Sequence, residues 1–348
     1  MPSADPAPGP CARTLTDLLR RYGAGEPVAC EPLAEGLLNR GYRLATTRGL
    51  FFLKHHLSGD PHAVIPLAGR HRATAALAEL GLPVAPPLAD RDGHTVVVHR
   101  SRCYALHPWV EGRHRDGGQL SRTQSRRLGT LLGRVHRALE KVIVRWSPRR
   151  LPELEPAARP ADTQALIDQL LVRVRSRPRR TGFDALAEHR LLERRTLLSA
   201  HTHLRPGRAE VPAEGWVHGD FHPLNLLYRT EGPVEPVAIV DWDRLAVRPR
   251  AEEAVRAAVI FFLRPDGSLE LPKVRAYARA YRSATGASPV ELAAAVHRVW
   301  WERLNDFWML RWHYERQDGR VDHQFPAAAA LVGWWTRHAP AVRDSFCD

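Results

Sequence analysis

Two short apolar runs that end in polar residues constrain the fold of this chain more than any other feature of its sequence. Residues 216–228 begin and end with apolar side chains and enclose a polar loop that contains Asp220 and Asn225. Residues 237–240 form a second apolar run, which leads directly into Asp241. Short apolar runs bounded by polar residues are typical of buried strands. The pattern predicts two strands that flank a turn and deliver acidic groups to one end.

The side chains at the ends of these runs suit a site for a metal ion and phosphate groups. Phosphoryl transfer needs a carboxylate that orients the attacking hydroxyl, and oxygen ligands that hold Mg²⁺ on the phosphates. Asn225 follows Asp220 at the spacing found in the catalytic loops of kinases, and Asp241 would supply a second metal ligand. A metal-dependent hydrolase stays open, because His218, Asp220 and His222 alternate in the way that zinc ligands do on a strand.

The rest of the chain divides into a strand-rich part and a helical part. Strand-like runs separated by glycines surround one helix before residue 110, whereas helical periodicity dominates after residue 120. The strands predicted in the first part are residues 42–44, 50–53, 95–99 and 103–106, and its helix is residues 65–80. The helices predicted in the second part are residues 123–139 (with Ser121 as the cap), 166–174, 183–201, 251–262, 273–285 and 289–316.

The sequence resembles the aminoglycoside phosphotransferase and choline kinase family, whose members have the protein-kinase-like fold. The resemblance rests on the loop of residues 218–225 and on the strand that ends in Asp241 and Asp243. It covers residues 33–262 and includes similar segments at residues 33–42, 51–54, 81–84, 105–112 and 128–136. The family implies an α+β fold with a small N-terminal antiparallel sheet lobe, which has one helix, and a larger, mainly helical C-terminal lobe. The implied divisions are a tail and lead-in helix (1–30), the N-lobe (31–110) and the C-lobe (111–348).

The resemblance also implies roles for single residues. In the catalytic loop, Asp220 would orient the acceptor hydroxyl and take its proton, while His218 would fix the turn through hydrogen bonds to backbone. The other implied site residues are Asn225, Asp241 and Asp243 for Mg²⁺, Lys54 for the α- and β-phosphates, Gly36 and Asn39 in the phosphate-covering loop, and Leu106 and Trp109 at the adenine. The implied nucleotide is ATP or GTP, and the implied acceptor is a small molecule with a hydroxyl group, which is aminoglycoside-, choline- or sugar-like.

One position departs from the family pattern. The family pairs the nucleotide lysine with a glutamate on the N-lobe helix, but Arg70 or His71 stands at the corresponding position of this chain. Either Glu35 or another acid replaces that glutamate, or Lys54 is held differently. The departure motivates an alternative in which the chain is a catalytically silent nucleotide-binding protein.

A C-terminal set of aromatic and acidic residues has two interpretations. Large side chains recur every fourth residue along the predicted helix 289–316, at Trp300, Leu304, Trp308 and Trp312. This stripe either packs in the core or, together with Glu302 and Asp306, lines a pocket for a cationic acceptor.

Composition limits the remaining classes of function. A formal net charge of +13 suits a polyanion partner. However, the basic residues are dispersed and only three of the 51 are lysines, which indicates a GC-rich coding bias and makes a nucleic-acid partner unlikely. No apolar run approaches the roughly 20 residues of a membrane span, and residues 1–10 lack the features of a signal peptide. We therefore expect a cytoplasmic protein, whose four cysteines are reduced thiols.

Overall fold

The computed structural model of the chain describes residues 9–33, 39–57, 64–143, 156–207 and 212–348. Its strands are β1 (Pro27–Pro32), β2 (Arg40–Thr46), β3 (Gly49–His56), β4 (Val97–His99), β5 (Arg102–Pro108), β6 (Glu214–Val217), β7 (Leu226–Tyr228), β8 (Pro236–Ile239) and β9 (Ala246–Pro249). Its helices are α1 (Ala12–Tyr22), α2 (Val64–Glu79), α3 (Arg122–Ile143), α4 (Pro160–Arg175), α5 (Gly182–His201), α6 (Arg250–Phe261), α7 (Leu271–Thr285), α8 (Pro289–Asn305), α9 (Trp308–Glu315), α10 (Phe325–Arg337) and α11 (Ala339–Cys347).

The chain forms two compact units, and neither is continuous in sequence. The first contains Met1–His114, Val142–Trp146 and Leu224–Leu245, and the second contains Arg115–Lys141, Ser147–Pro223 and Ala246–Asp348. A strand-rich unit and a mainly helical unit agree with the predicted α+β class. The predicted division into continuous lobes at residue 110 stays a prediction.

The first unit is built on a five-stranded sheet in the order β1-β2-β3-β5-β4, in which every neighbouring pair is antiparallel. The predicted strands and their pairing near residues 97–106 are confirmed, whereas β1 was not predicted. Helix α1 packs its leucines against one face of this sheet, in a buried cluster that includes Leu18, Leu44, Leu53 and Leu106. Full burial of each such side chain contributes about 1.5–3 kcal/mol, which explains why the lead-in helix belongs to the sheet.

The strand register separates two faces of this sheet. Lys54 pairs with Ala105, and two positions further along Phe52 pairs with His107. Directly paired residues point to the same side, and side chains alternate between the two faces along a strand. Because Leu53 and Leu106 face α1, Lys54 and His107 lie on the opposite face.

A separate two-stranded hairpin, β7–β8, completes the first unit. The backbone amide of Ile239 donates to the carbonyl of Pro83 (2.7 Å), and Tyr228 exchanges two backbone hydrogen bonds with Arg113 (2.9 Å each). The predicted strands around residues 226–228 and 237–240 are confirmed by this hairpin. These bonds tie the hairpin that precedes Asp241 to the segment between α2 and β4 and to the segment that follows β5.

The second unit consists of packed helices and the short β6–β9 pair. Two glycines of this unit are required by space, one in α3 where it approaches α7 and one in the turn before α3 where it approaches α6. A Cβ added to Gly129 would lie 2.1 Å from the carbonyl oxygen of Tyr277, and one added to Gly117 would lie 1.5 Å from that of Phe261. Among the described helices, none is long and apolar enough to cross a membrane.

The predicted single helix 289–316 is wrong, because the chain leaves the helix at Asn305 and enters α9 at Trp308. Asp306 has an extended backbone (φ −99°, ψ 125°), and its Oδ1 accepts a hydrogen bond from the amide of Trp308 at 3.1 Å. An aspartate side chain that binds a backbone amide two residues later competes with helical hydrogen bonding. The remaining predicted helices are confirmed, with ends shifted by a few residues, and α10 and α11 were not predicted.

Candidate active site

The catalytic-loop motif begins where β6 ends, at a fully buried histidine. His218 is 0% exposed, and its Nδ1 accepts a hydrogen bond from the backbone amide of Asp220 at 3.2 Å. Gly219 between them has φ 86°, a left-handed conformation that favours glycine. The side chain of His218 therefore shapes the turn, as the sequence indicated, while the carboxylate of Asp220 stays about one third exposed, at 31%.

A buried glutamate that sequence reasoning missed holds this loop from α6. Glu253 accepts hydrogen bonds from the backbone amides of His218 (3.1 Å) and Gly219. It also contacts Nε2 of the fully buried His136 at 2.7 Å, and Nδ1 of His136 in turn contacts the hydroxyl of Tyr281 at 3.0 Å. Burial opposes the charged form of Glu253, but the hydrogen bond and charge of His136 outweigh it and hold the pKa of Glu253 below its ordinary value.

The neighbouring glutamate, Glu252, has a different set of partners. Glu252 is 7% exposed and binds Arg256 (3.2 Å) and Arg298 (2.5 Å). Arg256 also makes a bidentate contact through Nε to Glu302 at 3.0 and 2.8 Å. The two adjacent glutamates of α6 therefore divide their roles, since one binds the catalytic loop and the other binds α8.

The three residues that suggested a zinc-type site do not form one. Nε2 of His222 lies 3.6 Å from Oδ2 of Asp220, whereas His218 directs Nδ1 to backbone. Within the described ranges, Asp90, Asp92 and His94 are the one set of three His, Cys, Asp or Glu side chains close enough to share an ion. The arrangement around Asp220 thus favours an acid–base role over a zinc centre.

Lys54 is held by two carboxylates in the first unit. Its Nζ lies 2.7 Å from Oδ1 of Asp241 and 2.9 Å from Oδ2 of Asp243, and the lysine side chain is only 8% exposed. Burial disfavours the charged ammonium, but Asp241 and Asp243 outweigh it and raise the pKa of Lys54. Burial disfavours the charged carboxylate of Asp243, but its contacts with His56 and Lys54 outweigh burial and lower the pKa of Asp243. Among the described residues, these two aspartates are the carboxylate partners of Lys54, and neither Arg70 nor His71 can supply one.

Asp241 adopts an unusual backbone conformation. Its φ of 59° and ψ of 67° lie in the left-handed region, which is uncommon for residues other than glycine and occurs often at functional sites. The turn directs its carboxylate to Lys54, and the following residues 242–244 form a 3-10 turn in which Trp242 donates Nε1 to the carbonyl of Ile239 at 3.0 Å. A local strain of this kind at a predicted metal ligand points to function.

Asn225 lies at the same end of the β7–β8 hairpin as Asp241. The residue after it, Leu226, pairs with Ile239, and the carbonyl of Asn225 accepts from the amide of Val240 at 2.9 Å. Asn225 is 6% exposed. Two of the three residues predicted to bind Mg²⁺ therefore flank one hairpin end, and Asp243 follows two positions later. The chain passes from the second unit to the first between Pro223 and Leu224.

One of the two residues predicted in the phosphate-covering loop contacts this cluster. Asn39 donates Nδ2 to Oδ2 of Asp243 at 2.7 Å, and its Oδ1 accepts from the amide of Leu57 at 3.4 Å. Gly36 lies outside the described residues, and so does Glu35, which had been considered as a partner of Lys54. Asn39 thus belongs to the same group as Lys54 through Asp243.

Histidines surround this group, and sequence reasoning had not assigned them to it. Nδ1 of His56 lies 3.6 Å from Oδ2 of Asp243. His71, on α2, contacts the hydroxyl of Thr95 at 2.8 Å rather than Lys54, and burial lowers its pKa to about 3. Burial likewise lowers the pKa of His107 to about 4, so that His71 and His107 are neutral at physiological pH. The alternation of His56 with Lys54 on β3 was the available signal.

The segment predicted to contact the adenine is anchored at both ends. The carbonyl of Leu106 accepts from the amide of Leu88 at 2.7 Å, and the amide of Trp109 donates to the carbonyl of Leu50 at 3.2 Å. The indole of Trp109 donates to Glu111 at 2.9 Å. The carbonyl of Leu106 and the amide of Trp109 are therefore already hydrogen-bonded. The backbone between them pairs with β3.

The C-terminal aromatic stripe divides between core and cavity. Trp300 and Trp301 are buried and donate their indole N–H groups to Thr336 (3.0 Å) and to the carbonyl of Ala158 (3.1 Å). Glu302 is paired with Arg256. In contrast, Asp306 and Trp308 line a cavity of the second unit. The core interpretation therefore fits the start of the stripe, and the pocket interpretation fits its end.

The family of the chain follows from comparison with known proteins. A family model described as "Phosphotransferase enzyme family" matches residues 29–287, which is well over half of the chain. The chain belongs to this family, so the resemblance seen in the sequence is confirmed. The predicted enzyme class, a small-molecule kinase that uses an alcohol group as the acceptor, is confirmed as well.

Particular relatives show what the chain is similar to. A homoserine kinase of Bradyrhizobium sp. (strain BTAi1 / ATCC BAA-1182) is 27% identical over 289 residues, which cover 81% of this chain and 78% of the relative. The structure of spectinomycin phosphotransferase in complex with ADP and spectinomycin matches with a TM-score of 0.64 at 13% identity, over 93% and 98% of the two chains. A microcompartment-associated aminopropanol kinase matches with a TM-score of 0.61 at 17% identity, over 94% and 97%. These likenesses confirm the kinase-like two-lobe fold.

Proposed function

We propose that this phosphotransferase moves the γ-phosphoryl group of ATP, or of GTP, to the hydroxyl group of a small acceptor that also carries an amine. The observation that carries the proposal is the buried Lys54, on which the carboxylates of Asp241 and Asp243 converge. A lysine that is held charged beside two acidic side chains suits a site for nucleotide phosphates and their cation. The amine follows from the names of relatives, since homoserine and aminopropanol are both short alcohols that carry one.

The residues at the hairpin end fit a magnesium ion by their chemistry. Carboxylate and amide oxygens are the ligands that Mg²⁺ prefers, and Asn225, Asp241 and Asp243 would supply them. That Asp241 and Asp243 already meet one cation, the Lys54 ammonium, supports this fit. When bound, Mg²⁺ would neutralise charge on the phosphates and help to orient them.

The proposed reaction assigns the proton to Asp220. Its carboxylate would accept the proton of the acceptor hydroxyl while the hydroxyl oxygen forms a bond to the γ-phosphorus and the bond from that phosphorus to the β-γ bridging oxygen breaks. The nucleoside diphosphate leaves with the electron pair of the broken bond. His218 and Glu253 support the step by fixing the loop that presents Asp220. A base of this kind contributes roughly 10²- to 10⁴-fold to the rate.

The contacts of Lys54 in the first unit remove the reason for considering a catalytically silent protein. It rested on the absence of a glutamate partner for Lys54 at Arg70 or His71. Because Asp241 and Asp243 contact Lys54 at 2.7 and 2.9 Å, the lysine has carboxylate partners without that glutamate. The outcome that would restore the silent alternative is binding of nucleotide without transfer to any acceptor.

An acceptor panel tests the proposal. Purified full-length protein is incubated with Mg²⁺ and ATP or GTP, and nucleoside diphosphate release is measured with homoserine, aminopropanol, choline, sugars and aminoglycosides. We expect acceptor-dependent release that EDTA abolishes and that Asp241→Asn reduces strongly. Nucleotide binding by calorimetry without release with any acceptor would favour the silent alternative. Tightly bound zinc in the purified protein would favour the hydrolase.

A further inference from the structure

The second unit contains a cavity that is lined by none of the residues named in the proposed reaction. It lies between α5, the α8–α9 junction and α10, and its volume is about 50 Å³. At about 10–15 Å³ for each water-sized group, roughly three or four such groups fit in it. That is the size of the charged end of a small metabolite rather than of an aminoglycoside.

The polar wall of this cavity is dominated by guanidinium groups. The charged lining residues are Arg190, Arg194, Arg303 and Asp306, and the rest of the lining is aromatic or aliphatic and includes Phe307, Trp308 and Phe325. Glu193, beside the cavity, accepts a hydrogen bond from Arg190 at 2.7 Å. Three guanidinium groups against two carboxylates leave the wall positive, which favours an anionic group in the ligand.

The arginines of the wall are positioned by the fold. Arg194 is 7% exposed, donates to the carbonyls of Arg303 (2.5 Å) and Leu304 (3.0 Å), and lies over the ring of Phe307 at 5.3 Å. Burial lowers the pKa of Arg194 to about 10, so it stays charged at neutral pH. Within the described residues, the Nε atoms of Arg190 and Arg303 are buried without a hydrogen-bond partner. Donors of this kind are costly unless a ligand accepts from them.

A carboxylate sits beside these cations rather than in contact with them. Oδ2 of Asp306 lies 3.7 Å from a terminal nitrogen of Arg303, which is beyond hydrogen-bond length, and its Oδ1 caps α9 through the amide of Trp308. Burial raises the pKa of Asp306, an effect that a nearby ligand ammonium would oppose. The wall therefore offers separate places for an anion and for a cation.

Two ion pairs within the second unit link the helix that carries the cavity residues to the helix that holds the catalytic loop. Arg298 and Glu302 of α8 bind Glu252 and Arg256 of α6, and Glu253 of α6 holds the loop of Asp220. The end of α8 that carries the cavity is thus fixed relative to the helix that fixes the loop.

We propose that this cavity binds the carboxylate and ammonium groups of a hydroxylated α-amino acid, with Arg303 and Arg190 on the carboxylate and Asp306 on the ammonium. The proposal rests on the proposed phosphotransferase function and narrows its acceptor to a zwitterion. It differs from the hypothesis of a pocket for a cationic acceptor, which was one of the two interpretations of the aromatic stripe, because the pocket end of the stripe carries more guanidinium than carboxylate groups.

Calorimetric titration of the full-length protein tests the ligand requirement without catalysis. L-Homoserine, L-serine and L-threonine are compared with 2-amino-1,4-butanediol, which has the hydroxyl and amine of homoserine but no carboxylate. We expect at least one amino acid to bind, and loss of the carboxylate from homoserine to weaken binding roughly 10- to 100-fold, as expected for a charge-assisted contact. Equal binding of homoserine and the diol, or no binding of any of the three amino acids at millimolar concentration, overturns the proposal.

Single substitutions test whether the amino acid binds in this cavity. Arg303→Gln should weaken amino acid binding roughly 10- to 100-fold and raise KM while leaving kcat nearly unchanged. Arg311→Gln is the matched control, because Arg311 is an exposed arginine of α9 that pairs with Glu315 and should leave binding within about twofold of wild type. Asp306→Asn should weaken binding of the amino acids and of the diol alike. Circular dichroism shows whether the Arg303→Gln protein is folded. If it is folded and binds the amino acids with wild-type affinity, the proposal is contradicted. If it does not fold, the comparison of homoserine with the diol decides.

Failure of this proposal and failure of the phosphotransferase proposal give different results. Transfer to amino alcohols without a carboxylate, at rates equal to those with amino acids, leaves the proposed function intact and removes the zwitterion site. Amino acid binding that depends on Arg303, without transfer from Mg²⁺-ATP, supports the site and removes the proposed function.

Discussion

The most informative single perturbation is the replacement of Glu253, because one buried carboxylate fixes the catalytic loop. Glu253 is 3% exposed and accepts hydrogen bonds from the amides of His218 and Gly219 and contacts Nε2 of His136. Glu253→Ala removes all three contacts and leaves buried polar groups without their partner. Glu253→Gln keeps the shape and one acceptor oxygen, so it isolates the contribution of the charge.

The expected loss of stability follows from the burial of the groups that contact Glu253. Leaving a buried polar group without its partner costs about 1–3 kcal/mol, and Glu253 is the partner of three such groups, so we expect Glu253→Ala to lower the free energy of unfolding by at least about 3 kcal/mol. This is a large part of the roughly 5–15 kcal/mol that stabilises a folded protein. For Glu253→Gln we expect a loss of about 1.5–3 kcal/mol, the usual contribution of a hydrogen bond to a charged group.

Urea unfolding followed by circular dichroism measures the loss, and hydrogen exchange of the peptide that contains residues 215–222 reports on the loop. We expect faster exchange of this peptide in Glu253→Gln protein. Glu252→Gln is the matched control in the same helix turn, since Glu252 binds Arg256 and Arg298 instead of the loop. It should destabilise the protein without changing exchange at residues 215–222. A free energy of unfolding for Glu253→Ala within about 1 kcal/mol of wild type, where ordinary substitutions centre, refutes the reasoning.

The same residue gives a pH dependence with a defined sign. The folded-state pKa of Glu253 is lowered from its ordinary value of 4.5, so the folded state binds the proton less readily than the unfolded state. Its contribution is therefore complete above the ordinary pKa and is lost as the pH falls through the lowered folded-state pKa. Unfolding at a series of pH values should show a smaller loss of stability below pH 4.5 for Glu253→Gln than for wild type. Parallel curves for the two proteins contradict this.

Three further predictions concern packing, conformation and charge. Gly129→Ala should cost about 1–3 kcal/mol of stability by urea unfolding, because its Cβ would lie 2.1 Å from the carbonyl oxygen of Tyr277, and an unchanged midpoint refutes the close approach of α3 and α7. Gly69→Ala in α2, whose Cβ would meet no described atom within 4 Å, should instead stabilise by about 0.5–1 kcal/mol. Lys54→Met should weaken Mg²⁺-ATP binding roughly tenfold or more in a calorimetric titration. Lys141 is exposed, so Lys141→Met is the control and should leave the affinity unchanged. Equal affinities of the two variants would remove Lys54 from the nucleotide site.

Much of this fold and part of its site were predictable because the determining signals are local. Helix α2 shows its end at Gly81 within the segment itself, and the paired β4 and β5 are separated by a two-residue turn at Arg100 and Ser101. The spacing of Asp220 and Asn225 is likewise a local pattern. Features of this kind depend on neighbours in sequence, so sequence periodicity and motif spacing reveal them.

The features that could not be predicted depend on contacts between distant segments. Glu252 and Glu253 are adjacent acids in the first turn of α6, and only the packing of His136 and His218 makes the second one the partner of the loop. Lys54 contacts Asp241, which lies 187 positions later in the sequence. The break at Asp306 was missed because helical periodicity continues through it, while a single side-chain hydrogen bond ends the helix.

The central claim is that Asp220 accepts the proton of the acceptor hydroxyl, and phosphorus NMR of the reaction mixture tests it most directly. Wild-type protein with Mg²⁺-ATP and an active acceptor should form a phosphomonoester. Asp220→Asn should bind ATP within about twofold of wild type while forming the product roughly 10²- to 10⁴-fold more slowly. Product formation by folded Asp220→Asn protein at the wild-type rate would contradict the account.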